Sequence, residues 1–271
     1  PGKPEAASPV FAVVSGLFVA CLSVILTGFH MSFSPLTLMI GLVNGVTLMI
    51  YDFSMIGASK NGPYSILMVF MISGGIVIPA VVSALFLDVP VSAVKIVCIA
   101  VVLLSVYLMT RKETESFTDK KKFFFWCVLL GLGNGVYGTC FKIQEYLISG
   151  GRIENAEHKE LVALTYVIAA ILSFGVTVIQ QKKDTLRVFT SQTKSSILFL
   201  VACSLVMAAA VNLYVYILPL IDVNVLNTLD NACVFLLSVL CSVVFFKEKL
   251  SAVNVVGCLT MTAALVCISV F

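Results

Sequence analysis

Charge is what this 271-residue chain has least of. Asp, Glu, Lys and Arg make up 11% of it, against about 25% in an ordinary soluble domain. That leaves too little polar surface to wrap a water-facing globule. Catalytic signatures are missing too. There is no phosphate-cradling GxxxxGK, no HExxH, no GxSxG and no pair of carboxylates set for acid–base work. Their absence argues against direct use of ATP and against hydrolytic chemistry. Histidine is scarce: His30 and His158 stand in or beside connections, without ligand spacing. The nine cysteines all fall inside apolar runs and form no CxxC pair, so they read as small packing residues, not as a disulfide framework or a metal centre. No cofactor is implied. The net charge of +3 gives no reason to expect nucleic acid as a partner. The polar start, Pro1 to Ser8, lacks the layout of a signal peptide.

Long apolar runs fill the chain instead. Hydrophobic residues make up 60% of it. A hydrocarbon core about 30 Å thick needs roughly 20 apolar residues of helix. Runs of that length lie at 9–29, 35–57, 63–87, 91–110, 123–148, 160–180, 195–218, 223–246 and 251–271. In lipid every backbone polar group must bond internally, which leaves helices as the spanning elements. The expectation is an all-α polytopic protein with nine transmembrane helices, multi-pass in a cell membrane of the plasma or inner type. With the N-terminus on one side, that side receives Lys3, Lys60, Arg111, Lys112, Lys120, Lys121, Lys122, Lys182, Lys183, Arg187, Lys194, Lys247 and Lys249, while the other holds Arg152 and Lys159. This bias makes the N-terminal side cytoplasmic and puts Phe271 outside. Phe123 to Trp126, directly after three lysines, reads as an interfacial anchor.

A repeat emerges at an offset of 159 residues. Phe86 to Val94 then lies over Phe245 to Val253, with Ser-Ala-Val common to both. The same offset lays helix two on helix seven and helix three on helix eight; helix one falls over helix six with a gap. The simplest organisation is a five-helix unit used twice, with the first helix of the first unit absent from this chain. The first repeat is then 1–110 with four helices, a basic linker is 111–122, and the second repeat is 123–271 with five. An odd helix count makes the second copy enter from the opposite side, the inverted repeat of many carriers, with a solute site near the midplane.

Polar side chains within the spans are costly and therefore informative. Helix eight carries Asn227, Asp230 and Asn231 at spacings that share a face. Asp230 lies roughly 10 Å into its helix at 1.5 Å per residue. Helix five carries Gly131, Asn134, Gly135, Tyr137, Gly138 and Lys142. Its glycines form a smooth face for close helix approach. Lys142 either binds an anionic solute group or snorkels to the interface. Asn44 and Asp52 on helix two and Asn212 on helix seven complete the candidate set; packing is an equal reading for the two asparagines, and an interfacial position for Asp52. Gly74-Gly75 and Pro79 predict a kink in helix three, which suits a moving gate.

These features resemble the EamA-like members of the drug/metabolite transporter superfamily. The resemblance rests on Phe246-Lys247-Glu248-Lys249-Leu250-Ser251 with Gly257 beyond it, on Gly131 to Lys142, and on Asn61-Gly62-Pro63-Tyr64-Ser65. It implies secondary transport of a small organic metabolite or drug-like solute by alternating access between two inverted five-helix halves. The expected partners are that solute, a coupled proton or cation, and the lipid bilayer, with monomer and homodimer both open. Asp230 would bind a cationic solute group or carry a coupled proton. The rival readings are a membrane-embedded lipid-modifying enzyme and a non-transporting scaffold, in which the buried polar groups serve only as glue between helices.

Overall fold

The computed structural model describes residues 7–86, 92–111, 117–154, 157–181, 189, 192–221, 223–245, 247 and 250–270. Several sequence features fall outside them: the repeat junction at 87–91, Lys3, Lys112, Lys182, Lys183, Arg187, Phe246, Glu248, Lys249 and Phe271. So do the side chains of Asn224 and Asn227. Among the described residues there are nine helices and no strand: α1 Ala7–Leu26, α2 Pro35–Ser59, α3 Tyr64–Phe86, α4 Ala93–Arg111, α5 Lys120–Ser149, α6 Glu157–Gln181, α7 Lys194–Ile217, α8 Val223–Val244 and α9 Ala252–Val270. Every end lies within three residues of its expected position. Five helices, α2, α3, α5, α6 and α7, are long and apolar enough to cross a membrane over their described residues; the other four carry shorter apolar stretches.

Local chemistry sets the ends. α5 starts three residues before its apolar run because Asp119 caps it. The Lys122 amide donates to Asp119 Oδ1 at 3.1 Å, and Lys122 Nζ lies 3.5 Å from Oδ2. That amide bond, with the nearby lysine charge, holds the Asp119 carboxyl below its usual range. α5 ends on Gly151 at φ 67°, with the Arg152 amide donating to the Leu147 carbonyl and the Gly151 amide to that of Ile148, both at 2.9 Å. This is a Schellman close, which needs a left-handed residue and finds a glycine. α7 starts behind Thr193, whose hydroxyl accepts from the Ser196 amide.

The helices gather into two compact units, and each unit draws on both halves of the chain. One comprises residues 1–53 and 140–220, the other 54–139 and 221–271, so that α2 and α5 contribute to both. In the first unit α1 packs on α6 and α7. Gly16 makes the α1–α6 approach possible: a methyl there would stand 2.9 Å from the Tyr166 carbonyl oxygen and 3.1 Å from the Ala170 side chain. In the second unit α4 packs on α9, and α3 on α8 and α4. The partners in α1–α6, α3–α8 and α4–α9 are the helices that the 159-residue offset sets in correspondence.

Candidate functional site

The second unit brings α3, α5 and α8 together around a pair of glycines. A Cβ on Gly74 would overlap the Gly131 backbone, and one on Gly135 would meet Ile78. The smooth face of α5 thus lies on α3, as its glycine spacing predicts. α3 itself runs as one helix from Tyr64 to Phe86 through both Gly74-Gly75 and Pro79. The glycine pair takes part in a close helix crossing. Pro79 removes the amide that would have bonded the Gly75 carbonyl.

This crossing assembles two of the candidate residues. Asn134 Nδ2 donates to the Met71 carbonyl oxygen at 2.9 Å. A methyl at Gly75 would run into the Asn134 amide and stand 3.2 Å from Asn231 Oδ1. Asparagines from α5 and α8 thus meet over one bare point of α3. Asp230 follows on α8. It is exposed, and among the described residues neither a hydrogen-bond donor nor a cation sits on its carboxylate. The exposed apolar stripe of α8 runs through Leu229, Leu236, Leu237, Leu240 and Val244, and at about 100° per residue Asp230, seven residues before Leu237, stands at the edge of that stripe. Tyr137 is half-buried, three residues along α5 from Asn134, and engaged by a neighbouring group.

The remaining candidates lie in the first unit. Asn212 is buried and fully used: its Oδ1 accepts from Ser23 Oγ at 2.9 Å, and its Nδ2 donates to the Ala208 carbonyl. It ties α7 to α1. Asn44 is fully buried and donates from Nδ2 to Thr165 Oγ1 at 3.3 Å, linking α2 to α6, while its Oδ1 has no hydrogen-bond partner. Lys142 is half-buried and engaged by a neighbouring group. Asp52 is buried, at 7% exposure, and neither a donor nor a cation among the described residues reaches it.

A polar cluster in this unit escaped the sequence reading. Glu157 Oε2 accepts from the Ser34 amide at 3.1 Å and from Ser34 Oγ at 2.8 Å. Glu160 Oε1 accepts from the Ser32 amide at 3.3 Å. Gln144 Nε2 donates to Thr37 Oγ1 at 3.0 Å and to the Glu157 carbonyl at 3.3 Å. His158 Nε2 lies 2.7 Å from Glu145 Oε2. These bonds strap the α1–α2 connection to the start of α6. The available signal was the pair Glu157 and Glu160 in the first helical turn, where carboxylates are favoured by the positive end of the helix dipole.

No curated protein matches the sequence. Twenty-one chains of solved structures match. One, a crystal structure, aligns over 98% of this chain and 90% of its own at 14% identity with a TM-score of 0.65, a likeness of fold alone. The model of the EamA-like transporter family matches residues 121–270, more than half of the chain. Membrane-length helices, polar side chains held within them and this match agree: the protein is a multi-pass membrane protein that belongs to the EamA-like transporter family, a family of small-solute transporters.

Proposed function

We propose that this protein is a secondary carrier of small organic amines, working by alternating access in the plasma or inner membrane with its N-terminus in the cytoplasm. The observation that carries this reading is the meeting of Asn134 and Asn231 over Gly75, with Asp230 next on α8 and its carboxylate engaged by no group among the described residues. The Asn134 amide is held by the Met71 carbonyl, which fixes this polar pair at the crossing for a solute to meet. A carboxylate inside a span costs on the order of 3 kcal/mol on insertion scales, so its retention there favours a ligand of opposite charge. Asn227 and Tyr137 are assigned to the same solute site. Asn44, Asn212 and Lys142 are left to helix packing and to the interface. The pairing of α1 with α6, α3 with α8 and α4 with α9 supports two inverted repeats, because elements related by a two-fold axis meet their own counterparts across it.

Flux in proteoliposomes tests the proposal. Labelled putrescine and lysine serve as amine probes and succinate as the contrasting anion. The parent protein is expected to exchange at least one amine and not succinate, and Asp230→Asn to lower that exchange by about tenfold or more, the loss of roughly 1.4 kcal/mol of binding. Amine exchange unchanged in Asp230→Asn removes Asp230 from the mechanism.

A further inference from the structure

We infer that Cys98 and Cys267 form a redox-active dithiol: a peroxide closes them into a disulfide that staples α4 to α9, and a thiol reductant reopens it. This goes beyond the transport reading and is independent of the solute carried.

α4 and α9 run side by side within the second unit. One polar contact sets their register. Ser105 Oγ on α4 and Thr260 Oγ1 on α9 stand 2.8 Å apart, with Ser105 fully buried. Seven residues make about two turns of helix and return to nearly the same face. Seven residues before Ser105 is Cys98, and seven after Thr260 is Cys267. These two meet as well: their thiols hydrogen-bond to each other. Two contacts, stepping back along one helix and forward along the other, make the pair antiparallel and place both cysteines on its seam. Cys98 is buried at 6% exposure, in line with Val102 and Ser105. Cys267 is half-buried, beside the buried Ala264 and Ile268. Both are free thiols.

A disulfide needs two cysteine side chains that point at each other across a short gap. Helix packing holds this pair so, which is why no CxxC spacing announces it. The staple has a mechanical setting too. α3 packs on α4 and on α8, and α9 packs on α4 and on α8, so the four helices close a ring. Cys98 lies five residues into α4 and Cys267 three residues from the end of α9, so the pair sits near one end of that ring. On the orientation proposed above, that end is the outer one, the side on which disulfides persist.

The chemistry balances with hydrogen peroxide as oxidant. The half-buried Cys267 sulfur attacks one peroxide oxygen. The O–O bond breaks, the thiol proton leaves with the departing oxygen as water, and Cys267 becomes a sulfenic acid. The Cys98 sulfur then attacks the Cys267 sulfur. The S–O bond breaks, the Cys98 proton leaves in a second water, and the S–S bond forms. Two thiols give up two electrons, and one peroxide becomes two waters. The first step is slow, because a thiol in a helix seam has little thiolate character. The second is fast, because the two sulfurs are already in contact.

Peptide mass spectrometry on the full chain in lipid nanodiscs tests this. The protein is treated with hydrogen peroxide, then unfolded and alkylated. The expected product is a Cys98–Cys267 linked peptide, reversed by dithiothreitol, with the remaining seven cysteines alkylated. Both cysteines alkylated after peroxide, or either one linked elsewhere, overturns the proposal. In Cys98→Ser, dimedone is expected to trap a sulfenic acid on Cys267; an unlabelled Cys267 there overturns the assigned order of attack. Peroxide is also expected to raise the unfolding temperature of the parent and to leave that of Cys98→Ser unmoved. No rise in the parent overturns the staple. Where Cys98→Ser does not fold, Cys98→Ala replaces it, and the parent's linked peptide decides the pairing by itself. A parent that forms the link but moves no amine supports the dithiol and counts against the transport reading alone.

Discussion

Gly74 of α3 and Gly131 of α5 lie backbone against backbone: a methyl on Gly131 would stand 2.8 Å from the Phe70 carbonyl oxygen, and one on Gly74 would overlap the Gly131 peptide. Neither neighbour is a flexible side chain, so a methyl can be accommodated only by moving a helix. Gly74→Ala is expected to cost about 1–3 kcal/mol through overpacking, and Gly74→Leu more. Gly175→Ala meets open space and should be neutral or slightly stabilising, since alanine is the better helix former by up to about 1 kcal/mol. Thermal unfolding of the purified variants in one detergent compares them.

How much of this was legible beforehand follows from the physics of each feature. The helices are visible because lipid sets their length, and a run of some 20 apolar residues has little choice of structure. The starts of α5 and α6 were not, because the polar residues that extend them, Lys120 to Lys122 and Glu157 to Lys159, lie outside the apolar run, and at α5 they join the helix through the Asp119 cap. The glycines of α5 announced a close approach but not its partner. Partnership is a long-range matter, and nothing in the local sequence pairs Gly131 with Gly74. Asn134 and Asn231 were both candidates, yet only the fold shows that they meet. The strap from Ser32 and Ser34 to Glu157 and Glu160 uses ordinary capping residues, with no pattern to distinguish them.

Ser23 and Asn212 provide a clean test of a buried polar contact between helices. Their bond joins α1 to α7 at 2.9 Å, and both side chains are buried. Intramembrane hydrogen bonds of this kind average about 0.6 kcal/mol in double-mutant cycles. Ser23→Ala and Asn212→Ala are expected to couple by about that amount, with solute exchange retained in the folded Ser23→Ala variant. Unfolding free energies of the two single variants and the double variant measure the coupling.

The strap at Glu157 should hold the α1–α2 connection closed. Its Oε2 receives two bonds from Ser34, and bonds to a charged partner contribute about 1.5–3 kcal/mol each. Glu157→Gln is expected to speed hydrogen exchange at the Ser34 amide by about tenfold or more, the equivalent of roughly 1.4 kcal/mol. Exchange within α9 serves as the internal reference and should not change.

Asp119 links acid to the start of α5. The Lys122 amide, with the lysine charge, lowers its carboxyl below the ordinary value of 3.8. A group whose folded value is depressed adds stability above its unfolded value and loses it as pH falls through the folded one. The cap is therefore expected to hold at neutral pH and to fray only in acid below 3.8. Titration of the Asp119 carboxyl by NMR should give a midpoint under that value. Lys122→Ala should raise the midpoint only partly, because the backbone bond survives.

The most direct test is water access to Asp230. In a variant with all nine cysteines replaced, single cysteines are introduced at 230, 231 and 240 and exposed to a membrane-impermeant thiol reagent. Position 240 lies on the exposed apolar stripe of α8 and serves as the lipid-facing reference. The expected result is rapid labelling at 230 and 231, slowed by the transported amine, with 240 inert. Labelling at 230 as slow as at 240 would place the carboxylate among acyl chains and contradict the assignment of a solute site to this part of α8.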